Sequence, residues 1–473
     1  MPADPGAPCI IGVARRTWRD AAAPEPLDLW EELARAAAAD AGSPSAVQDL
    51  QSLQVVYCQS WEYDDAPRRL ADRLGAEPAH RVYSGIGGSV PLRLAATAAG
   101  ALSRGEADLA LIVGGEALAT RKRLADPPWS FAPREAAPFP ITLDPHEAAN
   151  GIFQAYLTFA LLDTARRGAL GRTPAEHREE LGRLLAPMTD VAAAHPEHAW
   201  FPIARSAAEL TTPGADNRMV ATPYTKLMTA IMDVDMAAAV LVATEERADR
   251  LGVPRDRRVY LRGLGFGEEP PAMAARPELG RSPALRAAGR SALGAVDIDD
   301  VAHLDLYSCF ASSLAFARDA LGVTDDRALT VTGGLPYHGG PGSDYCTHAL
   351  AAMTDTLRED AGSLGLVTGI GMHMTHHAAA LLSTEPGPFA PPAEPAALPE
   401  VGVVGGVEGT GTVVTHSTNY TREGPSWTAL ICDLPDGTRC YARLAEPPGE
   451  DEDLVGTTVT LAPGKRGSTT ATR

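Results

Sequence analysis

The chain has 473 residues, 45% hydrophobic and 21% charged, which allows two or three domains with a large core and excludes wholesale disorder. A formal charge of −19 argues against nucleic acid and anionic membrane surfaces as main partners, because both are met by basic patches. No apolar run reaches the ~20 residues of a membrane span. The N-terminus lacks a secretory pattern, and six cysteines (Cys9, Cys58, Cys309, Cys346, Cys432, Cys440) show no framework spacing, so a cytoplasmic protein with free thiols is expected.

In chain order, "CIIGVARR" reads as a buried first strand and "PLDLWEELARAAAADAG" as a helix stopped by Gly42. "LQSLQVVYC" is a second strand and "APRRLADRLGA" a short helix. In "RVYSGIGGSVPLRLAATAAG" a strand runs through three glycines into an Ala/Leu helix opening at about Ser89, and "ADLALIVGGEAL" is the buried strand that follows. A glycine turn at a helix N-terminus offers N–H groups to an anion, an oxyanion or a thiolate, yet this one contains no cysteine. Residues about 117–225, rich in Pro, Trp and His, read as an irregular excursion covering a site, and "AAAVLVAT" returns to the core as a strand.

The second half repeats the first. "DIDDVAHLDLYSCFASSLAFARDALG" is strand, turn and helix, and "TGGLPYHGGPGSDYCTHALAAMTDTLREDAGSLGLVTGIGMHM" again runs from glycine turn to Ala/Leu helix to buried strand. Spacing alone fits either a duplicated unit with facing glycine turns or two βαβ units that merely look alike. A Pro/Ala linker (386–400) leads into a period-two region (401–463) that reads as a small all-β barrel, and the tail 464–473 is expected to be disordered.

Several ordered segments resemble the thiolase superfamily, in its sterol-carrier-type branch. "GGSVPLRLAATAAGALSRGEADLALIVGGEAL" resembles the nucleophile segment, "LDLYSCFASSLAFA" the His-Asp-Cys-Phe segment, "GGLPYHGGPGSDYCTHAL" the Gly-His-Pro segment and "LVTGIGMHM" the final Cys-x-Gly turn. The resemblance spans residues 8–385. It implies a thiolase fold of duplicated βαβ halves in five αβαβα layers, halves at 1–250 and 251–385, a homodimer and an acyl-CoA ligand of lipid metabolism in the acetyl-CoA acetyltransferase lineage. The C-terminal region resembles OB-like barrels that accompany thiolase-like proteins, fused or as partner chains. Some such assemblies are retro-aldolases that use tyrosine and histidine, so a lipid-pathway partner protein is a further expectation. No zinc is expected at Cys432 and Cys440, and no permanently bound cofactor beyond a coenzyme A thioester as substrate or ligand.

The catalytic positions depart from the family. The nucleophile position holds Gly88, or with a one-residue shift Gly87 or Ser89; the Gly-His-Pro histidine falls on Gly340, the His-Asp-Cys-Phe histidine on Tyr307, and the second cysteine near Thr368 or Gly369. Transfer through a cysteine acyl-enzyme is therefore not expected. Tyr307, Tyr337, His338 and Tyr345 are the acid–base candidates, each also readable as a packed ring with a bonded polar atom, with Asp344, Cys346 and His348 clustered beside them. Cys309 and Cys346 are weaker nucleophile candidates. Gly87, Gly88, Ser89, Gly339, Gly340 and Gly371 are candidate backbone contacts to a thioester oxygen or phosphate. His373, His376 and His377 read as interior hydrogen-bonding groups rather than metal ligands.

Overall fold

The computed structural model describes residues 4–124, 127, 129, 144–389, 391–449 and 451–473. The first half of the core supplies β1 (Pro8–Thr17), β2 (Ser52–Val55), β3 (His80–Tyr83) and β4 (Leu109–Ala117). The covering segment adds β5 (Met219–Ala221) and β6 (Tyr224–Thr225). The core resumes with β7 (Asp235–Thr244), β8 (Val259–Glu268), β9 (His303–Asp305), β10 (Leu364–Gly371) and β11 (His376–Ser383). Strands β4 and β7 are buried along their whole length, which is why they read as apolar runs without alternation.

Strands of the first half lie in the order β3-β2-β4-β7-β1, and those of the second in the order β8-β11-β10-β9. β2 and β4 are parallel, as are β9 and β10; β4–β7–β1 and β10–β11–β8 are antiparallel throughout. The repeat of the sequence is thus a repeat of topology, and β3 has no counterpart in the second half among the described residues. Cys9 and Ile10 of β1 pair with Tyr260 and Val259 of β8, joining the nine strands into one mixed sheet in hydrogen-bond terms.

Helix Val90–Ser103 packs on β4 and β7 of its own half and on β10 and β11 of the other. Helix Tyr345–Glu359 packs on β10 and, across the molecule, on β1 and β7. The two helices touch and form the middle layer. Their alanines let strands approach from both sides, so Tyr345 to Thr354 is buried without interruption. Helix Pro26–Asp40 covers the outer face of the first half and helix Pro283–Leu293 that of the second, completing αβαβα.

The covering segment is more regular than its sequence suggests. Its described residues include the helices Ala155–Ala169 and Pro174–Ala194, the second started by a Thr173–Glu176 capping box. Beyond the linker stand β12 (Gly409–Thr421), β13 (Gly424–Asp433), β14 (Arg439–Leu444), β15 (Thr458–Pro463) and β16 (Thr469–Thr472). They close a ring in the order β12-β13-β14-β16-β15-β12, to which the β5–β6 hairpin adds through Asn419 opposite Ala221. The tail is therefore not disordered: β16 sits between β14 and β15, and without it both would be open edges. The Tyr441 hydroxyl donates to Glu147 at 2.6 Å, and Arg439 donates to the Arg276 carbonyl at 2.6 Å, fastening the ring to the covering segment and to the second half.

Candidate functional site

The site is built where the two glycine turns meet. Gly87 has φ +143°, a conformation open to glycine, and its N–H donates to Ser343 Oγ of the second turn at 3.0 Å. The next residue decides the chemistry. A Cβ on Gly88 would lie 1.9 Å from the Tyr307 phenol oxygen and 2.5 Å from the Ile370 carbonyl oxygen. The volume of a side chain at position 88 is occupied by Tyr307, so glycine at 88 and the phenol at 307 require each other in this packing.

Tyr307 is held by its N–H, which donates to Thr368 Oγ1 at 2.9 Å, and by an edge-on contact with Tyr345, centroids 5.6 Å apart. Its hydroxyl has no hydrogen-bond partner among the described residues. Burial pushes the phenol well above its ordinary range, so it is a neutral donor. Tyr345 is committed: its hydroxyl donates to Asp305 Oδ1 at 2.8 Å and lies 2.6 Å from Thr332 Oγ1. The other Asp305 oxygen accepts from the Thr330 hydroxyl and from the Val331 and Thr332 N–H groups. Burial raises that carboxyl, while Tyr345 and the other donors hold it down. Sequence reasoning missed Asp305, although a charge inside the apolar "HLDLYS" was the available signal.

His338 ends the short helix Leu335–His338, its ring centroid 6.0 Å from that of Tyr345. Burial, and then the Arg15 charge, push it down to about 3, so it is a neutral imidazole. Tyr345 thus lies between Tyr307 and His338, and Tyr307 in turn reaches Gly88. Among the described residues Tyr337 makes no ring contact with the other three, and its buried hydroxyl is unpartnered.

The thiols are poor nucleophiles where they stand. Burial pushes Cys309 up to about 12. Cys346 donates to the Gly88 carbonyl at 3.0 Å and is also raised by burial. Ser89, 2% exposed, starts the helix without a side-chain cap, its Oγ close against Gly371. Three expected backbone donors are already used: Gly87 N–H by Ser343, Gly339 N–H by the Leu335 carbonyl and Gly340 N–H by the Ile231 carbonyl. Gly371 lies in the β10–β11 ladder opposite His376. These N–H groups are spent on holding the turns to each other, on their own shape and on the Ile231 segment beside them. His377 Nε2 lies 3.0 Å from the Met374 carbonyl, His376 pairs with Glu268 and His373 faces Glu147. Among the described residues no cluster has the makings of a metal site. A cavity of about 180 Å³ under helix Pro174–Ala194 reaches Thr330, one hydrogen bond from Asp305.

Neither a protein-family model nor a curated protein matches the chain. Solved structures do. A monomeric SCP2-thiolase like protein type 1 from Mycobacterium smegmatis is 32% identical over 100% of both chains, with a TM-score of 0.87. An Ltp2-ChsH2(DUF35) aldolase is 18% identical over 80% of this chain and 98% of its own, TM-score 0.63. The dimeric peroxisomal thiolase of Saccharomyces cerevisiae is 14% identical over 81% and 99%, TM-score 0.57. The two more distant likenesses speak for the fold alone. The chain belongs to the SCP2-thiolase-like proteins of the thiolase superfamily.

Proposed function

We propose that this chain cleaves a carbon–carbon bond of a β-hydroxyacyl coenzyme A thioester by a retro-aldol step, without a cysteine acyl-enzyme. The observation that carries the reading is the Tyr307 phenol standing in the place of the side chain that residue 88 lacks. Tyr345 takes the β-hydroxyl proton and passes its own to Asp305. As the Cα–Cβ bond breaks, its electron pair moves toward the thioester oxygen, and a ketone or aldehyde leaves. The Tyr307 hydroxyl donates to that oxygen, and His338 protonates the α-carbon. The ligand is an acyl-CoA of lipid metabolism, and the setting a reducing cytoplasm; no helix among the described residues is long and apolar enough to cross a membrane.

Incubating β-hydroxyacyl-CoA with the chain should release the carbonyl product with no acyl mass on the protein. Tyr307→Phe should slow release about 100-fold; equal rates for variant and parent overturn the assignment. A second reading is binding of an acyl-CoA without turnover; the three glycine-turn N–H groups already in use leave fewer backbone donors to cradle it. Saturable binding by calorimetry with no product from any acyl-CoA would establish it. A displaced nucleophile at Cys309, Cys346 or Ser89 is disfavoured by the neutral thiols, and no mass gain after exposure to acetyl-CoA is expected. For assembly, the resemblance implies a homodimer, whereas the Mycobacterium smegmatis protein is described as monomeric; sedimentation velocity separates one chain from two.

A further inference from the structure

The proposed reaction leaves one cluster of buried ionisable groups unused, on the second glycine turn and the helix after it. Asp344 is 1% exposed, and its Oδ1 accepts from the Thr347 hydroxyl at 2.6 Å. Its Oδ2 has no hydrogen-bond partner, and faces His348 Nε2, equally unpartnered, at 3.7 Å. His348 Nδ1 lies 3.4 Å from His338 Nε2, and His338 Nδ1 at the far end is unpartnered too. Space has been cleared for this row: a Cβ on Gly114 would sit 2.1 Å from Asp344 Oδ1. As packing, the row is costly, because each buried unpartnered polar atom carries a desolvation penalty that an apolar side chain would not. Carboxyl, imidazole and imidazole in line, ending beside Tyr345, are instead the parts of a proton path.

We infer that Asp344, His348 and His338 form a proton relay whose terminal acid is Asp344 and whose delivering atom is His338 Nδ1. Asp344 and His348 are positioning residues of the retro-aldol reaction, on which this inference rests. Asp344 O–H passes its proton to His348 Nε2, His348 Nδ1–H passes one to His338 Nε2, and His338 Nδ1–H gives one to the substrate α-carbon. Each imidazole loses one proton and gains one, so the net change is a proton delivered and a carboxylate left at Asp344. The cycle closes when the proton held at Asp305 returns through Tyr345 to the imidazole lying against it. The neutral resting state fits the surroundings: burial raises the Asp344 carboxyl and lowers both imidazoles, with Glu116 on β4 adding to the first effect and Arg15 on β1 and His198 to the second.

Nitrogen NMR of the ¹⁵N-histidine-labelled chain reads the relay without substrate. His338 and His348 should both be neutral and protonated at Nδ1 from pH 5 to 8; a proton on Nε2 of either in the parent overturns the direction of transfer. Asp344→Asn keeps a donor toward His348 but has no proton to give. It should preserve both signals and lower kcat about 100-fold at unchanged KM, while Asp344→Leu should lose the His348 preference as well. Unchanged His348 signals in Asp344→Leu, or unchanged kcat in Asp344→Asn, overturn the relay. A parent chain that cleaves no β-hydroxyacyl-CoA overturns the reaction, and the NMR result then judges the relay alone.

Discussion

At the residue scale, Gly88 and Tyr307 are a coupled pair, and that coupling can be measured. Gly88→Ala places a carbon where the phenol already is, and overpacking of this kind costs about 1–3 kcal/mol. Thermal unfolding should show that loss, and the double variant with Tyr307→Ala should lose less than the sum of the two single changes. Strict additivity would mean that the phenol can move aside, and the link between missing nucleophile and added tyrosine would fail. The glycine turn without a cysteine was legible in the sequence, as was the presence of Tyr307. That the second fills the void of the first was not, because more than two hundred residues separate them, and they meet only because helix Val90–Ser103 packs on β10, which pairs with β9.

At the element scale, the β10–β11 turn and the last strand carry the sharpest expectations. Met372 and Met374 have φ of +56° and +55°, a region that costs a non-glycine residue about 1–2 kcal/mol. Half-buried Met372 should tolerate glycine with equal or higher melting temperature, while a β-branched valine there should lower it. Equal melting temperatures for the two variants would show that the turn relaxes. Removing residues 464–473 takes β16 out of the ring and exposes the edges of β14 and β15, so the truncated chain should melt lower and be cut faster by protease in the barrel. Existence and type of the core strands were readable from apolar runs and glycine punctuation. The tail was misread because "GSTTATR" is polar: only alternate residues of β16 face inward, and its partners are supplied by strands elsewhere.

At the scale of the whole molecule, buried imidazoles set the response to pH. Burial pushes His338 and His377 each down to about 3 from 6.5, so unfolded chains bind protons that folded ones refuse and stability falls as pH drops below 6.5. His177 acts oppositely. Burial would lower it, but the Asp163 carboxylate 3.0 Å away and Glu180 hold it at about 9. Its contribution is complete below 6.5 and lost as pH rises through 9. Glu116, raised by burial to about 7 from 4.5, adds to the loss between those values. The melting temperature should therefore peak at about pH 6, and His177→Phe should flatten the alkaline side. A monotonic profile in the parent would contradict these assignments.

The sequence by itself determined the superfamily, an α/β core with two similar halves, the C-terminal β region and a first glycine turn that contains no cysteine. Those properties are written in local runs, spacings and residue types, which survive reading in one dimension. The tertiary structure alone decided three things: that Tyr307 occupies the missing side chain's volume, that Asp305 holds Tyr345, and that several glycine-turn N–H groups are spent on internal bonds. Each depends on atoms from distant segments meeting within a few ångströms, and such distances are set by how the two halves close on their shared helices.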